Sequence, residues 1–449
     1  MMKKLTRKQF WIVGLMLFSL FFGAGNLIFP PMLGKLAGTS MYLSMFAFGI
    51  TAVVLPVLGV IAVAKSNGLS AMCRKVSPWF ATLFTLVIYL AVGPLMGIPR
   101  AATVPYEIGL APNIPPESQG WSLFLFSCVF FALTYWLSLN PARIADRIGK
   151  ILSPALLLLM LGLFVCSLIN PIADYLPAQG RYQTNPIASG FLEGYMTMDA
   201  AGALVFGLVI AMVIQNFKIT DKKEVLRTSV KVGVLAGGLL FIIYLMLAHI
   251  GATTTALFPD TTNGAQILHL ASNHMFGKLG AYLVASIFTL ACLTTCVGLV
   301  SSLAQYFTSW TGKFGYRVWV SVWTLCSLLI ANFGLDQILS YSVPVLSVIY
   351  PIALVLILLS LADSLFGGRK LVYQLSIYTT GAVSLIHVLT EQGFSLSYLS
   401  KAVQCFPFSS VHLGWLLPAF LAFSLGCLCT LVQKSYLAKS PARNKSIKP

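Results

Sequence analysis

The sequence predicts an all-α protein that crosses a membrane many times, and three observations support this class. Of the 449 residues, 58% are hydrophobic and only 9% are charged, which excludes a soluble globular protein. The apolar residues form long segments bounded by charged residues or by Pro and Gly clusters. The basic residues are concentrated in alternate connections, as in polytopic membrane proteins.

At about twenty apolar residues per span, the chain has room for about twelve transmembrane helices in a single domain over residues 1–449. The connection from 251 to 276 is too polar to span and is expected to form an outer loop with a short surface helix. The predicted spans are residues 10–36, 41–64, 79–103, 121–139, 148–170, 191–215, 229–250, 279–307, 315–333, 338–360, 371–390 and 411–433.

Basic residues determine the predicted orientation. All but five of the 29 Lys and Arg lie in connections on the side of the N-terminus, so both termini and a basic tail over 434–449 are expected in the cytoplasm. The positive charge is spread over several connections with no aromatic-interleaved patch, which argues against nucleic-acid binding. The long first apolar run has no A-x-A cleavage site, so it is expected to remain as an uncleaved span in the lipid bilayer. The five exceptions are Lys35, Arg100, Arg181, Lys278 and Lys401.

The order of the spans predicts an inverted repeat. Five spans occupy residues 10–170 and five occupy 191–360, and an odd number per half requires the halves to insert in opposite orientations. The two remaining spans, within 371–433, are then peripheral.

The first span is predicted to be broken at Phe22-Gly23-Ala24-Gly25-Asn26. Two glycines followed by Asn favour a short extended break over a continuous helix, and two prolines follow shortly after. Such breaks expose helix N-termini that attract carboxylates and carbonyls that hold cations. The alternative is that Gly23 and Gly25 only allow close packing of a neighbouring helix.

The first span of the second half is also interrupted, by Gly194, Thr197 and Asp199. A corresponding pair of broken helices predicts a binding site near the bilayer midplane. Asp199 is the one acidic residue placed deep in a span, and it could couple a cation, carry a proton, or cap the broken helix. Glu193 is expected nearer the outer end and solvated.

Hydroxyl groups line one face of the eighth span, where Thr294 and Thr295 are each seven residues from a serine, Ser301 and Ser302. They could form an all-oxygen site for an alkali cation, or bond back to the helix and hold neighbouring helices. Arg100, at the outer end of the third span, could gate an outer vestibule or pair with Glu107, but snorkelling to the interface is favoured.

Other chemistry is disfavoured. The nine cysteines include no zinc-type C-x-x-C pair and are interpreted as reduced packing residues. No histidine is interpreted as spaced with Cys, Asp or Glu for a transition-metal site. The chain has no phosphate-binding loop and no catalytic constellation, so neither an ATPase subunit nor an enzyme activity is expected.

The stretches Phe22–Pro31, Gly194–Ala200 and Leu293-Thr294-Thr295 resemble signatures of the bacterial branched-chain amino acid carriers (LIV-II, BrnQ type). The resemblance covers nearly the whole chain. It implies the LeuT-like fold of the amino acid/polyamine/organocation superfamily and import of leucine, isoleucine and valine across the bacterial cytoplasmic membrane. The implied coupling ion is sodium, or protons in some members, with no tightly bound cofactor.

The resemblance also implies the site residues. The amides of Ala24 and Gly25 would take the substrate carboxylate, with Asn26 fixing the break. Tyr195, Met196 and Thr197 would border the amino group and side chain, near Asp199. The sodium site would use the carbonyls of Ser19, Phe22 and Ala291 and the hydroxyls of Thr294 and Thr295.

The residues also allow two alternative transport functions: proton coupling through Asp199, or exchange of another small neutral amino acid. A channel would be expected to have continuous pore-lining helices instead of breaks that close around a ligand.

Overall fold

A computed structural model describes residues 5–140, 148–169, 172–219, 221–394 and 397–439. Over these residues the protein is helical with no strand, which confirms the predicted fold class. The helices are α1 Arg7–Phe21, α2 Ala24–Ala37, α3 Met41–Gly49, α4 Leu55–Ser66, α5 Leu69–Arg74, α6 Pro78–Leu90, α7 Gly97–Gly109, α8 Gln119–Ser138, α9 Ser153–Ile169, α10 Arg181–Thr184, α11 Pro186–Tyr195, α12 Asp199–Asn216, α13 Lys222–Thr254, α14 Gly264–Phe276, α15 Lys278–Thr311, α16 Tyr316–Ala331, α17 Leu335–Leu361, α18 Asp363–Phe366, α19 Lys370–Glu391, α20 Ser397–Gln404 and α21 Leu416–Lys439.

By length and hydropathy, nine helical stretches within the described residues could cross a membrane, and two shorter apolar helices accompany them, Tyr316–Ala331 and Leu416–Val432. The broken first span appears as two short helices, α1 and α2, of 15 and 14 residues. The prediction of about twelve spans therefore stays a prediction, because breaks divide some spans into pieces shorter than a membrane requires.

The described residues form two compact units. One comprises the described parts of Met1–Leu69 and Leu86–Leu346, and the other those of Ser70–Thr85 and Ser347–Pro449. Helix α21 continues to Lys439, which is within the predicted basic tail over 434–449. The rest of that tail lies outside the described residues, as do the first four residues and 141–147.

The broken helices pack reciprocally inside the first unit. Helices α1 and α2 pack against α13, while α12 packs against α4 and α11 against α3. The first helix of each predicted repeat therefore lies on the second helix of the other repeat. This exchange is what a pseudo-two-fold relation between two inverted repeats requires.

Two glycines bring α2 and α13 together. A Cβ added at Gly34 would lie 1.9 Å from the carbonyl oxygen of Ala248, and one at Gly251 would lie 1.9 Å from that of Pro31. Because no side chain larger than hydrogen fits at either position, the two backbones approach closely, as is common between membrane helices.

The connection after α13 contains one helix, α14. Its buried face includes Ile267 and Leu268, whereas Gln266, Asn273 and His274 are exposed. Lys35 is also buried, at 4% exposed. Its Nζ donates to the carbonyl oxygens of Pro259 at 2.6 Å and Thr261 at 2.7 Å. The ammonium thereby ties the end of α2 to the segment before α14.

Candidate functional site

The first span breaks between Phe21 and Ala24, as predicted. Gly23 is extended, with φ −117° and ψ −161°, and its amide donates to Oδ1 of Asn26 at 3.1 Å. Asn26 therefore caps the start of α2 with its side chain. Gly25 lies inside α2, not at the break. A Cβ there would come within 3.0 Å of the Thr197 backbone, so Gly25 also serves the close packing offered as the alternative.

The second break lies at residues 196–198, between α11 and α12. Met198 adopts a left-handed conformation with φ 69°, which is costly for a residue with a side chain. The hydroxyl of Thr197 donates to the carbonyl oxygen of Gly194 at 2.9 Å and accepts from the amide of Asp199 at 3.4 Å. These two bonds join the end of α11 to the start of α12.

A buried carboxylate connects the two breaks. Nδ2 of Asn26 donates to Oδ2 of Asp199 at 2.5 Å and also bonds the hydroxyl of Tyr244. That hydroxyl donates to the same Asp199 oxygen at 3.0 Å. Asn26, Asp199 and Tyr244 are at most 4% exposed. Asp199, at the start of α12, thus links both broken helices to α13 through its side chain, and its three predicted roles stay predictions.

Arg100 lies at the breaks and not at the membrane interface. It is 6% exposed, and its Nη1 donates to the carbonyl oxygen of Met196 at 3.4 Å. A Cβ on Gly25 would lie 2.9 Å from its Nη2. The favoured prediction of snorkelling is therefore wrong. The reason is that α7 packs against α2, which brings the guanidinium next to the polar breaks instead of lipid.

Glu193 also differs from its prediction. It is 8% exposed, and its Oε2 accepts from Nη2 of Arg181. The expectation of a solvated side chain is wrong because Arg181, twelve residues earlier, neutralises the carboxylate at the start of the second repeat.

The two breaks enclose a small cavity of about 40 Å³. Among the predicted site residues, Ala24, Gly25, Asn26, Thr197 and Asp199 line it, together with Thr295. Tyr195 and Met196 lie beside the second break but do not belong to the lining. Arg100 lines the cavity as well, and the apolar part of its wall is formed by Leu20, Phe21, Val92, Ala101, Phe206 and Leu299.

An oxygen cluster lies next to this cavity, between α1 and α15. The hydroxyl of Thr294 is 3.1 Å from the carbonyl oxygen of Ser19 and 2.8 Å from that of Ala291. The hydroxyl of Thr295 is 3.2 Å from the same Ser19 oxygen. Four of the five predicted sodium ligands therefore meet. The fifth, Phe22, lies where α1 ends, and its amide donates a hydrogen bond to the carbonyl oxygen of Phe18.

Ser302, on the same face of α15, behaves as the alternative interpretation expects. The hydroxyl of Ser302 donates to the carbonyl oxygen of Gly298 at 2.7 Å, back-bonding to its own helix.

A larger cavity of about 890 Å³ lies beyond the breaks. It is lined by Ile28 of α2 and by Val104 and Glu107 of α7, and also by Asp336 of α17. Asn26 and Ala101, on the same two helices, line the small cavity. No more than about one helical turn therefore separates the two cavities along α2 and along α7.

Tyr244 is a site residue that the sequence analysis missed. It is fully buried in α13, and its hydroxyl bonds both Asn26 and Asp199. A signal was available, because Tyr244 is a lone phenol within the apolar run Leu239–Leu247, where a hydroxyl needs a partner.

The model of the family described as branched-chain amino acid transport protein matches residues 6–433. The chain belongs to this family. Among relatives, it is 41% identical over 433 residues to the branched-chain amino acid permease BraB of Bacillus subtilis, covering 96% of this chain and 97% of that protein. It is 39% identical over 421 residues to the branched-chain amino acid transport system 2 carrier protein of Pseudomonas aeruginosa, covering 93% and 95%. As a member of this family, the protein is a transporter and not an enzyme.

Solved transporter structures have the same fold. The structure of MhsT in complex with L-phenylalanine matches with a TM-score of 0.56 at 15% identity, covering 96% of this chain and 99% of that chain. A Na⁺-coupled sialic acid symporter matches with a TM-score of 0.59 at 14% identity, covering 94% and 89%. These neighbours confirm the LeuT-like fold expected from the sequence.

Proposed function

We propose that the protein imports leucine, isoleucine and valine across the bacterial cytoplasmic membrane by sodium symport with alternating access. The observation that carries this proposal is the meeting of two broken spans around a cavity, with a cluster of hydroxyl and carbonyl oxygens at its edge. Relatives that are named branched-chain amino acid permeases support the substrate class. The distribution of basic residues supports cytoplasmic termini.

The substrate carboxylate would lie at the start of α2. Ala24 and Gly25 line the cavity, and the first amides of a helix have no acceptor within it. The helix dipole adds positive potential at this end. Arg100 lines the same cavity and adds a full positive charge that can attract the carboxylate.

The ammonium and side chain of the substrate would lie toward α12. Asp199 supplies carboxyl oxygens that can accept hydrogen bonds from an α-ammonium group, while the Thr197 hydroxyl lies beside it. The aliphatic side chain would contact the apolar wall, where Phe21, Val92 and Phe206 offer no hydrogen-bonding group. Such a wall fits leucine, isoleucine or valine better than a polar amino acid, whose side chain would lose its hydrogen bonds there.

Sodium would occupy the oxygen cluster between α1 and α15. The hydroxyls of Thr294 and Thr295 would turn their lone pairs toward the ion, which would also contact the carbonyl oxygens of Ser19 and Ala291. A set of neutral oxygens suits a hard monovalent cation. Thr295 belongs to this cluster and also lines the cavity, so sodium and substrate would order the same residues. Each would then raise the affinity for the other equally.

Transport requires the helices around the cavity to move. About 40 Å³ is little more than the roughly 30 Å³ that one water molecule occupies in the liquid, and much less than a nine-heavy-atom amino acid needs. Opening the single turn of α2 and α7 between Asn26 and the larger cavity would admit the substrate. Closing it and separating the cytoplasmic halves would release substrate and ion inside, as in other transporters built from inverted repeats.

The test is uptake of radiolabelled leucine by purified protein in liposomes. An inward sodium gradient should drive accumulation above equilibrium, and replacing sodium with potassium should abolish it. If accumulation followed only a proton gradient, and Asp199→Asn abolished it, proton coupling through Asp199 would replace the sodium proposal. No accumulation with either gradient would contradict the import proposal itself.

A further inference from the structure

The second unit contains a cluster of two imidazoles and one carboxylate that plays no part in the site above. His387 and Glu391 lie one turn apart at the end of α19, and His412 lies in the segment before α21. Nε2 of His387 is 3.0 Å from Nδ1 of His412. Oε1 of Glu391 is 2.9 Å from that Nδ1 and 3.4 Å from that Nε2. The sequence interpretation that no histidine is spaced with Cys, Asp or Glu for a transition-metal site overlooked the four-residue spacing of His387 and Glu391 on α19.

We propose that His387, Glu391 and His412 form a Zn²⁺ site. Zinc binds imidazole nitrogen and carboxylate oxygen at about 2.0–2.2 Å, with three protein ligands and a water in open sites. For the three separations above, a point about 1 Å out of the plane of the three atoms is about 2.05 Å from each. The three ligand atoms therefore already lie at three corners of a compressed tetrahedron around that point.

The ligand chemistry selects the ion. Two imidazoles with one carboxylate suit zinc and similar borderline metals, whereas Mg²⁺ and Ca²⁺ prefer all-oxygen sites. Among the described residues, this is the group of His, Cys, Asp and Glu whose ligand atoms all lie within 4.8 Å of one another. Without an ion, the two facing nitrogens can share only one hydrogen; with zinc, both neutral rings direct a lone pair at the metal.

The surroundings leave the fourth position open. The cluster lines a cavity of about 400 Å³ together with Thr390, Gln404 and Ser409, so a water can reach the ion. The side chains of Glu391 and His412 are 41% and 54% exposed, which gives dissolved zinc access. A bound ion would join the end of α19 to the segment that leads into α21 and stabilise that connection.

The experiment measures zinc binding directly. Full-length protein is purified in detergent without a polyhistidine tag, treated with a chelator, and dialysed against micromolar Zn²⁺ at pH 7.5. One zinc per chain is expected, falling at least tenfold in the double variant His387→Ala/His412→Ala. The matched control is His274→Ala, which removes an exposed histidine outside the cluster and should keep one zinc per chain.

Two further measurements keep the proposal falsifiable if the double variant folds poorly. Glu391→Gln should weaken zinc binding at least tenfold, while the variant elutes from a sizing column at the wild-type volume. X-ray absorption spectroscopy at the zinc edge should show two imidazole ligands in the wild-type protein. No bound zinc in wild-type protein, or equal binding in wild-type and cluster variants, would overturn the proposal. Neither readout depends on leucine uptake, so the result is independent of the proposed transport function.

Discussion

Replacing Gly25 with alanine is the sharpest test of the proposed substrate site. The added methyl would lie 2.9 Å from Nη2 of Arg100 and 3.0 Å from both the Cα and the carbonyl oxygen of Thr197. Arg100 can swing away, because its long side chain is flexible. The Thr197 atoms are backbone atoms at the second break, so they can move only if the two broken helices separate.

The cost follows from this overpacking. Inserting a methyl into a filled site costs about 1–3 kcal/mol. At about 1.4 kcal/mol per factor of ten, this corresponds to a roughly 5- to 150-fold loss of leucine affinity. Gly25→Ala should therefore raise the KM for leucine by about fivefold or more in sodium-driven liposome uptake, and weaken leucine binding to purified protein to a similar extent.

Gly238→Ala is the matched control, because a Cβ at this exposed position of α13 meets no atom within 4 Å. Its KM should stay within about twofold of wild type, and both variants should elute at the wild-type volume from a sizing column. Wild-type leucine KM in Gly25→Ala would refute the contact between the two breaks as the substrate site.

Three other substitutions test separate parts of the site. Thr294→Ala removes the hydroxyl that bonds the Ser19 and Ala291 carbonyls, so the sodium concentration for half-maximal uptake should rise about tenfold or more. Thr294→Ser keeps a hydroxyl and should restore the wild-type sodium concentration. Unchanged sodium dependence of uptake in Thr294→Ala would exclude this oxygen cluster. Tyr244→Phe removes a hydrogen-bond donor from the buried Asp199 carboxyl group, and the loss should lower the free energy of unfolding by about 1–3 kcal/mol. Both Tm, by several degrees, and the uptake rate should therefore fall. A wild-type Tm would argue against a structural role for this bond. Gly202→Ala places a methyl 3.3 Å from the Phe206 ring in the cavity wall, so leucine and isoleucine should lose more affinity than valine in a competition panel. Equal losses for the three amino acids would contradict the placement of the substrate side chain against this wall.

Sequence patterns predicted the breaks well because the bilayer leaves few options. Asn26 in one span and Asp199 in another carry polar groups that are costly in an unbroken lipid-facing helix, and Gly23 and Thr197 lie beside them. The approach of Thr294 to Ser19 was expected only from family resemblance, since spacing on α15 cannot show which helix lies opposite.

The wrong predictions share one physical cause, which is that the partner of a polar group is set by tertiary packing. Arg100 was assigned to the interface because no partner is near it in sequence, yet packing brings it to the Met196 carbonyl. Glu193 was assigned to solvent, yet it pairs with Arg181. His412 is 25 residues from His387, so the three-ligand cluster is not visible as a local motif.

The sequence alone determined that the chain is a many-span helical membrane protein with two interrupted spans, because hydrocarbon tolerates so few polar groups that each one is informative. Only the tertiary structure decided that Asn26, Asp199 and Tyr244 meet, that Arg100 joins them, and that a separate His and Glu cluster forms in the second unit. The residue composition of each segment reflects whether lipid or water surrounds it, so it can be read from the sequence. These contacts instead depend on how helices far apart in sequence pack against one another.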